Sequence, residues 1–238
     1  MESIFNRKLL FIRKKRINFD FSFFEKIKKI IMEDLQDYIF IFEKSPKKIL
    51  LLNNLTENDN NFFLNCNLSE LNFEEDDLMN IKNISNFEKQ DLIIGINSLH
   101  NVNYLNDYLK SIINCLNDGG IFCGNFFGNK NLSELKKLII QNDAKFSKNI
   151  YQRFNPVISA ESVVNILQNT GFKNIVISAE RIDYHFNSFN NAMLFLKNIN
   201  ERNYFSQMQK TSPNKKLFEF NEKITLDFDL IKVYCTKQ

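Results

Sequence analysis

The chain is expected to fold as an α/β protein, a three-layer Rossmann-like sheet with a helical N-terminal extension. Short apolar runs at 49–52 and 91–96 are bounded by polar residues, the pattern of strands buried on both faces. Segments with apolar residues three and four apart alternate with such runs. Strand–helix units that follow one another in this way imply a mainly parallel sheet with helices on both sides.

Residues 19–43 predict the first helix, with Phe23, Phe24, Ile27, Ile30, Ile31, Leu35 and Ile39 on one face. Ser45 and Pro46 end it, because proline disfavours helical geometry in the residue before it. The strand at 49–52 leads into a polar stretch, 53–61, and then a short candidate strand at 62–64. The acidic run Glu74, Glu75, Asp76 and Asp77 reads as a solvent-facing loop or helix start. Adjacent carboxylates without histidine or a loop signature seldom cage a metal. A strand at 91–96, a helix at 103–117 and a strand at 121–127 follow, with Asp118, Gly119 and Gly120 expected to close the helix. Helices at 132–141 and 159–170, the latter stopped by Gly171, precede a strand at 174–179 and a helix at 190–200. The last strand, 223–236, alternates at Ile224, Leu226, Phe228 and Leu230 and then changes phase to Ile231, Val233 and Cys235. A bulge or burial on both faces would produce that change.

Composition narrows the class of protein. With 44% apolar and 25% charged residues, the chain can bury a core and is not disordered throughout. No apolar stretch approaches the roughly 20 residues that cross a bilayer, and no signal peptide is expected at the N-terminus. Net charge is +3, too mild for nucleic acid to be an expected partner. Residues 1–48 hold 12 Lys/Arg against 7 Asp/Glu, the densest cluster being Arg13, Lys14, Lys15 and Arg16. That cluster is a solvated face, or a contact to an acidic partner or lipid headgroups. The four cysteines, Cys66, Cys115, Cys123 and Cys235, show no paired spacing and no nearby histidine, so neither a disulfide scaffold nor a metal site is expected. A reducing interior follows, either bacterial-type cytosol or mitochondrial matrix.

Several segments are similar to one known family. Ile4, Phe5, Asn6, Arg7, Lys8 and Leu9 are followed by a basic stretch and a Phe-rich helix. Asp91, Leu92, Ile93 and Ile94 lead to Ser98, Leu99 and His100, and Leu116, Asn117, Asp118, Gly119, Gly120, Ile121 and Phe122 come next. Phe127, Gly128, Leu132, Glu134 and Leu135, then Pro156, Ser159, Gly171 and Phe172, and finally 200–203 and 223–228, continue the match. In this order and spacing the chain resembles class I S-adenosylmethionine-dependent methyltransferases. Within them it resembles the branch that holds the malonyl-carrier methyltransferases of biotin synthesis and the respiratory complex I assembly factor that hydroxylates an arginine. The resemblance implies a helical extension at 1–47 and a methyltransferase-like domain at 48–238, with 91–94 as the family's fourth strand.

The resemblance also implies S-adenosylmethionine as cofactor, and here the residues depart from it. The family's first strand ends in a glycine-rich loop that lets the cofactor approach bare backbone at a helix N-terminus. The equivalent stretch is Leu51, Leu52, Asn53, Asn54, Leu55, Thr56 and Glu57, and no glycine precedes Gly95. Asparagine reaches left-handed angles, so Asn53, Asn54 and Asn97 are the candidate cofactor positions, but their side chains keep their bulk. Ile49 and Asp91 lie only 42 positions apart, and a single crossover unit takes about 30 residues, so the fold is expected to be trimmed around the second strand. Glu70 is the nearest residue to the strand-two acid that holds the ribose, or else a surface glutamate. Ser98, His100 and Tyr184 are the candidate substrate or partner residues, each also open to a plain structural role. Two functions follow: a non-catalytic or weakly active binding and assembly factor for another protein, such as a respiratory-complex subunit, or an active methyltransferase or protein hydroxylase.

Overall fold

In the computed structural model, residues 3–17, 19–52, 66–146, 153–201, 203 and 223–238 are described. They form helices α1 (Arg7–Lys14) and α2 (Phe21–Ile41), strands β1 (Lys48–Leu52) and β2 (Asn67–Leu71), helix α3 (Asp77–Ser85), strand β3 (Gln90–Gly95), helix α4 (Leu105–Cys115) and strand β4 (Leu116–Phe127). Helices α5 (Ser133–Phe146) and α6 (Ala160–Thr170), strand β5 (Phe172–Phe186), helix α7 (Phe189–Asn198) and strand β6 (Ile224–Lys237) complete them. The strands make a six-stranded sheet in the order β2-β1-β3-β4-β6-β5. The chain divides into two compact units, one of residues 20–126, 158–179 and 231–238, the other of 1–19, 127–157 and 180–230.

The first unit contains a part of every strand. β2 and β3 flank β1, both parallel to it, with Leu51 opposite Glu70 and Leu52 opposite Leu71 and Gly95. β4 runs parallel to β3, but its register slips between Gln90 and Leu92, and residues 117–120 are taken up in the slip. β6 runs the other way, since Lys237 Nζ near its end reaches the Leu116 carbonyl at the start of β4 (2.9 Å). The α/β layered, Rossmann-like expectation is met, with a mixed rather than wholly parallel sheet.

Successive residues of β6 show why its apolar pattern changes phase. Ile231, Val233 and Cys235 join a core with Leu50, Ile93, Phe122, Tyr108, Leu109, Ile112, Val163 and Leu167, on the face covered by α3, α4 and α6. Lys232 and Tyr234 point to α2, where Lys232 pairs with Asp34 (2.7 Å) and the Tyr234 hydroxyl donates to the Ile31 carbonyl (3.2 Å). The strand is therefore buried on both faces. Each fully buried aliphatic or aromatic side chain contributes about 1.5–3 kcal/mol, and the apolar face of α2 supplies seven: Phe23, Phe24, Ile27, Ile31, Met32, Leu35 and Tyr38. Ile30 and Ile39, expected among them, are only half-buried because Met32 and Tyr38 occupy the centre of the stripe.

Some expectations are corrected here. Asp118, Gly119 and Gly120 do not close a helix: α4 ends at Cys115, and Gly119 (φ 72°) serves the slip inside β4. Gly171 (φ 105°) does cap α6 as expected, and Ser159 caps its start by accepting from the Ser162 N–H (3.2 Å). Strand β2 and the helical form of 7–14 were not foreseen, and the strand expected at 62–64 lies outside the described residues. Of the acidic run, Asp76 caps α3, while Asp77 is buried rather than solvent-facing.

The second unit holds α1, α5, α7 and the remaining lengths of β5 and β6. Tyr184, Phe195 and Phe228 pack ring against ring, with Tyr184 and Phe195 centroids 4.9 Å apart. Asp227 of β6 caps α5 from outside the helix, accepting from the N–H groups of Ser133 and Glu134 (both 3.1 Å). Arg153 and Asp143 form a bidentate pair (2.8 and 3.1 Å) with 9% and 1% of their side chains exposed.

Candidate functional site

In open α/β sheets ligands bind beyond the carboxyl ends of the strands. In the first unit that edge comprises the ends of β1, β2 and β3, the loop at 96–104 and the last residues of β4. β3 leaves the sheet through a tight turn: the Ser98 hydroxyl folds back and donates to the Gly95 carbonyl (2.9 Å). A Cβ on Gly95 would lie 2.1 Å from Ser98 Oγ, so the turn demands glycine at that position. Asn97 (φ 49°) and Asn101 (φ 61°) take left-handed angles, which asparagine tolerates better than other side chains.

The Asn97 side chain meets Asn125 of β4, which is fully buried. The Asn97 backbone N–H donates to Asn125 Oδ1 (2.7 Å), and Asn125 Nδ2 donates to Asn97 Oδ1 (2.6 Å). A backbone N–H can only donate, so Asn125 must present its oxygen there and its nitrogen to Asn97. The orientation of both amides is thus fixed, and Asn97 Nδ2 is a buried donor with no partner among the described residues. An unmet buried donor costs about 1–3 kcal/mol. Leu99 N–H donates to the Asn125 carbonyl (3.4 Å), and Asp77 accepts from the backbone and side-chain nitrogens of Asn103 (3.2 and 2.9 Å), pinning the far end of the loop to the start of α3.

Of the residues singled out from sequence, Asn97, Ser98 and His100 come together on this loop. Asn97 and Ser98 are buried and His100 is half-buried. Asn53 and Asn54, which follow β1, lie outside the described residues. Tyr184 belongs to the other unit, half-buried against Phe195 and Phe228. Glu70 is the penultimate residue of β2, in register with Leu51 of β1, so it does stand near the end of the second strand. Asn125 and Gly95 were not foreseen. A polar residue inside the apolar run of 121–127 was the signal for Asn125; the clearance at Gly95 depends on Ser98 folding back, which spacing does not reveal. Among the described residues no cluster of three or more His, Cys, Asp or Glu is placed to hold a metal, and no helix is long and apolar enough to cross a membrane.

No family model matches the chain. It is 31% identical over 144 residues to a Rickettsia prowazekii (strain Madrid E) protein named "Putative methyltransferase RP459", with 57% of this chain and 64% of that protein aligned. The chain therefore spans just under two thirds of that relative's length. Among solved structures, an S-adenosylmethionine-dependent methyltransferase from Archaeoglobus fulgidus aligns with a TM-score of 0.43 and 14% identity, over 91% of this chain and 99% of that one. Another from Clostridium acetobutylicum gives 0.44 and 12%, over 88% and 91%. At those scores neither superposition assigns a role to any residue.

Proposed function

We propose that the chain is an S-adenosylmethionine-dependent methyltransferase-type protein with a weakened donor site, acting chiefly as a binding or assembly factor for another protein of the respiratory-complex kind. The name of the Rickettsia relative and the sequence resemblance support the class. One observation carries the weakening: the first 94 residues contain no glycine. Side chains of Asn53, Asn54, Leu55, Thr56 and Glu57 then stand where a nucleoside donor needs open backbone. Losing several hydrogen bonds at about 1–3 kcal/mol each moves a micromolar ligand to about millimolar, since about 1.4 kcal/mol is tenfold.

A second reading, a working methyltransferase or hydroxylase, is favoured by Glu70 beside the end of β1 and by the unpartnered Asn97 amide. The residues that would hold the cofactor are then Asn53, Asn54, Asn97 and Glu70. The cofactor would supply an electrophilic methyl group, while Glu70 would accept from its ribose hydroxyls. Calorimetric titration with S-adenosylmethionine and its demethylated product separates the two. The first reading expects dissociation constants weaker than about 100 μM, roughly −5.5 kcal/mol; tighter binding overturns it. An aqueous interior compartment suits either reading. A lipid contact through the Arg13–Arg16 cluster would fall mainly to the exposed Lys15 and Arg16, since Arg13 donates to the Asn203 carbonyl (2.8 Å) and Lys14 lies over the Phe19 ring.

A further inference from the structure

Two large apolar side chains stand out at the opposite edge of the sheet from the candidate site. Phe40 is 83% exposed and Ile41 69% exposed, in the last turn of α2. The turn is held firmly: the Glu43 N–H donates to the Phe40 carbonyl (3.1 Å) and the Lys44 N–H to that of Ile39 (2.9 Å). The helix therefore presents the pair to solvent on a fixed mount.

The charges around them are sorted. Lys44 Nζ lies beside Gly119, and Lys47 is exposed at the entry to β1. Lys173 is exposed at the start of β5, next to Asn174, whose carbonyl accepts from the Tyr38 hydroxyl (2.8 Å). Most carboxylates of this edge are engaged: Glu88 with Lys48 (3.0 Å), Asp118 with Lys237 (3.2 Å), and Asp91 with the Lys47 and Lys48 N–H groups. Glu43 is the exception, an exposed carboxylate facing three lysines.

We propose that this edge docks on an anionic lipid surface, with Phe40 and Ile41 entering the headgroup layer and Lys44, Lys47 and Lys173 lying against the lipid charges. Apolar side chains ringed by lysine are what an interfacial contact uses, and each lysine near an anionic leaflet strengthens binding about fivefold. A second copy of the chain fits less well. A two-fold contact sets the same patch against itself, so it would oppose lysine to lysine. The inference is independent of the donor site and lies on different residues from the 13–16 cluster.

The test is co-sedimentation of the full chain with phosphatidylcholine vesicles and with vesicles enriched in phosphatidylglycerol. Partitioning to the anionic vesicles is expected, falling steeply as salt is raised from about 0.05 to 0.5 M. Phe40→Ser with Ile41→Ser, and separately Lys44→Glu with Lys173→Glu, should each lower it about tenfold or more while circular dichroism and melting remain those of the parent. Lys15→Glu with Arg16→Glu should leave it within about twofold. Four results overturn the proposal: no partitioning, equal partitioning to neutral vesicles, indifference to the first two variants, or loss on changing Lys15 and Arg16. Self-association in sedimentation velocity that Phe40→Ser abolishes would also overturn it, by assigning the patch to a second copy.

Discussion

At the amino-terminal edge of the sheet, a carboxylate organises the strands: Asp91 collects the N–H groups of Lys47 and Lys48 (2.9 and 3.0 Å) and the amide of Asn117 (2.8 Å). At the carboxyl edge the corresponding hub is a neutral amide, Asn125, which holds Asn97 and leaves one donor of that residue unmatched. The first arrangement tolerates water and tightens β1 against β3 and β4. The second excludes water, relies on left-handed asparagines and a glycine without clearance, and carries an uncompensated polar group. Strain and unmet hydrogen bonding gather where α/β sheets place ligands, whereas the edge that only has to hold strands together satisfies its groups.

The contrast is broken most severely at Gly95. Gly95→Ala brings a Cβ to 2.1 Å from Ser98 Oγ and 2.8 Å from Ser98 Cβ, and overpacking of that kind costs about 3 kcal/mol. The melting temperature should fall by about 6–12 °C for a chain of this size. Adding Ser98→Gly should return most of the loss, so a double-mutant cycle reads the steric coupling directly. Additive losses would mean that the turn is not organised by this contact.

Asn125→Ala is the next test. It leaves the Asn97 N–H and side-chain oxygen unmet in a site with no exposure, for an expected loss of about 2 kcal/mol in denaturant unfolding. Asn97→Gly sharpens the comparison, because it relieves the φ of 49° and removes the amide together. Destabilisation by that change shows that the amide pair outweighs the backbone strain; stabilisation shows the reverse, and that Asn97 is kept for something other than folding.

Asp91→Asn addresses the other edge and should cost about 1 kcal/mol. Burial acts to raise the Asp91 carboxyl. The Lys48 N–H, the Asn117 amide, the Lys47 N–H and the charge of Lys48 together outweigh burial and hold it below the ordinary carboxylate value. A depressed folded pKa gives stability that is fully present above the unfolded value, near 3.9, and is lost as pH falls through the folded one. The gap between parent and Asp91→Asn should therefore be constant near neutrality and close below about pH 4. A gap that persists unchanged at lower pH would remove charge from the account of this edge.

How much of this was legible follows the same contrast. β1, β3, the Gly171 stop of α6 and the two-sided burial of β6 were readable because long apolar runs and a glycine at a helix end leave few alternatives. β2 was missed because Asn67, Ser69 and Glu70 make it polar, as an edge strand in water is allowed to be. Helix α1 was hidden by its charge: Arg7, Lys8, Arg13 and Lys14 read as a basic segment first. Gly119 shows a subtler limit. Its left-handed angle was foreseen, but that conformation serves a slipped strand as readily as a helix end. The loop with Asn97, Ser98 and His100 was visible as the segment beyond an apolar strand, yet the residue that fixes it, Asn125, comes from another strand, and no local spacing links positions 28 apart.

The smallest expected effect lies at the end of α2 and bears on whether the amino-terminal edge is wholly relaxed. Glu43 occupies the left-handed position after the helix (φ 50°) that glycine usually fills, with the two hydrogen bonds of that motif formed around it. For a residue with a Cβ this angle costs about 1–2 kcal/mol, and part of that is returned on substitution because glycine loses more chain entropy on folding. Glu43→Gly should therefore stabilise the protein by about 0.5 kcal/mol in denaturant unfolding. It also removes the exposed carboxylate beside Phe40 and Ile41, so the same variant should bind anionic vesicles more tightly. A gain in stability without a gain in vesicle binding would confine Glu43 to backbone geometry. A gain in binding without one in stability would mean that the left-handed turn is not strained, and that the two edges differ less than their hydrogen bonding suggests.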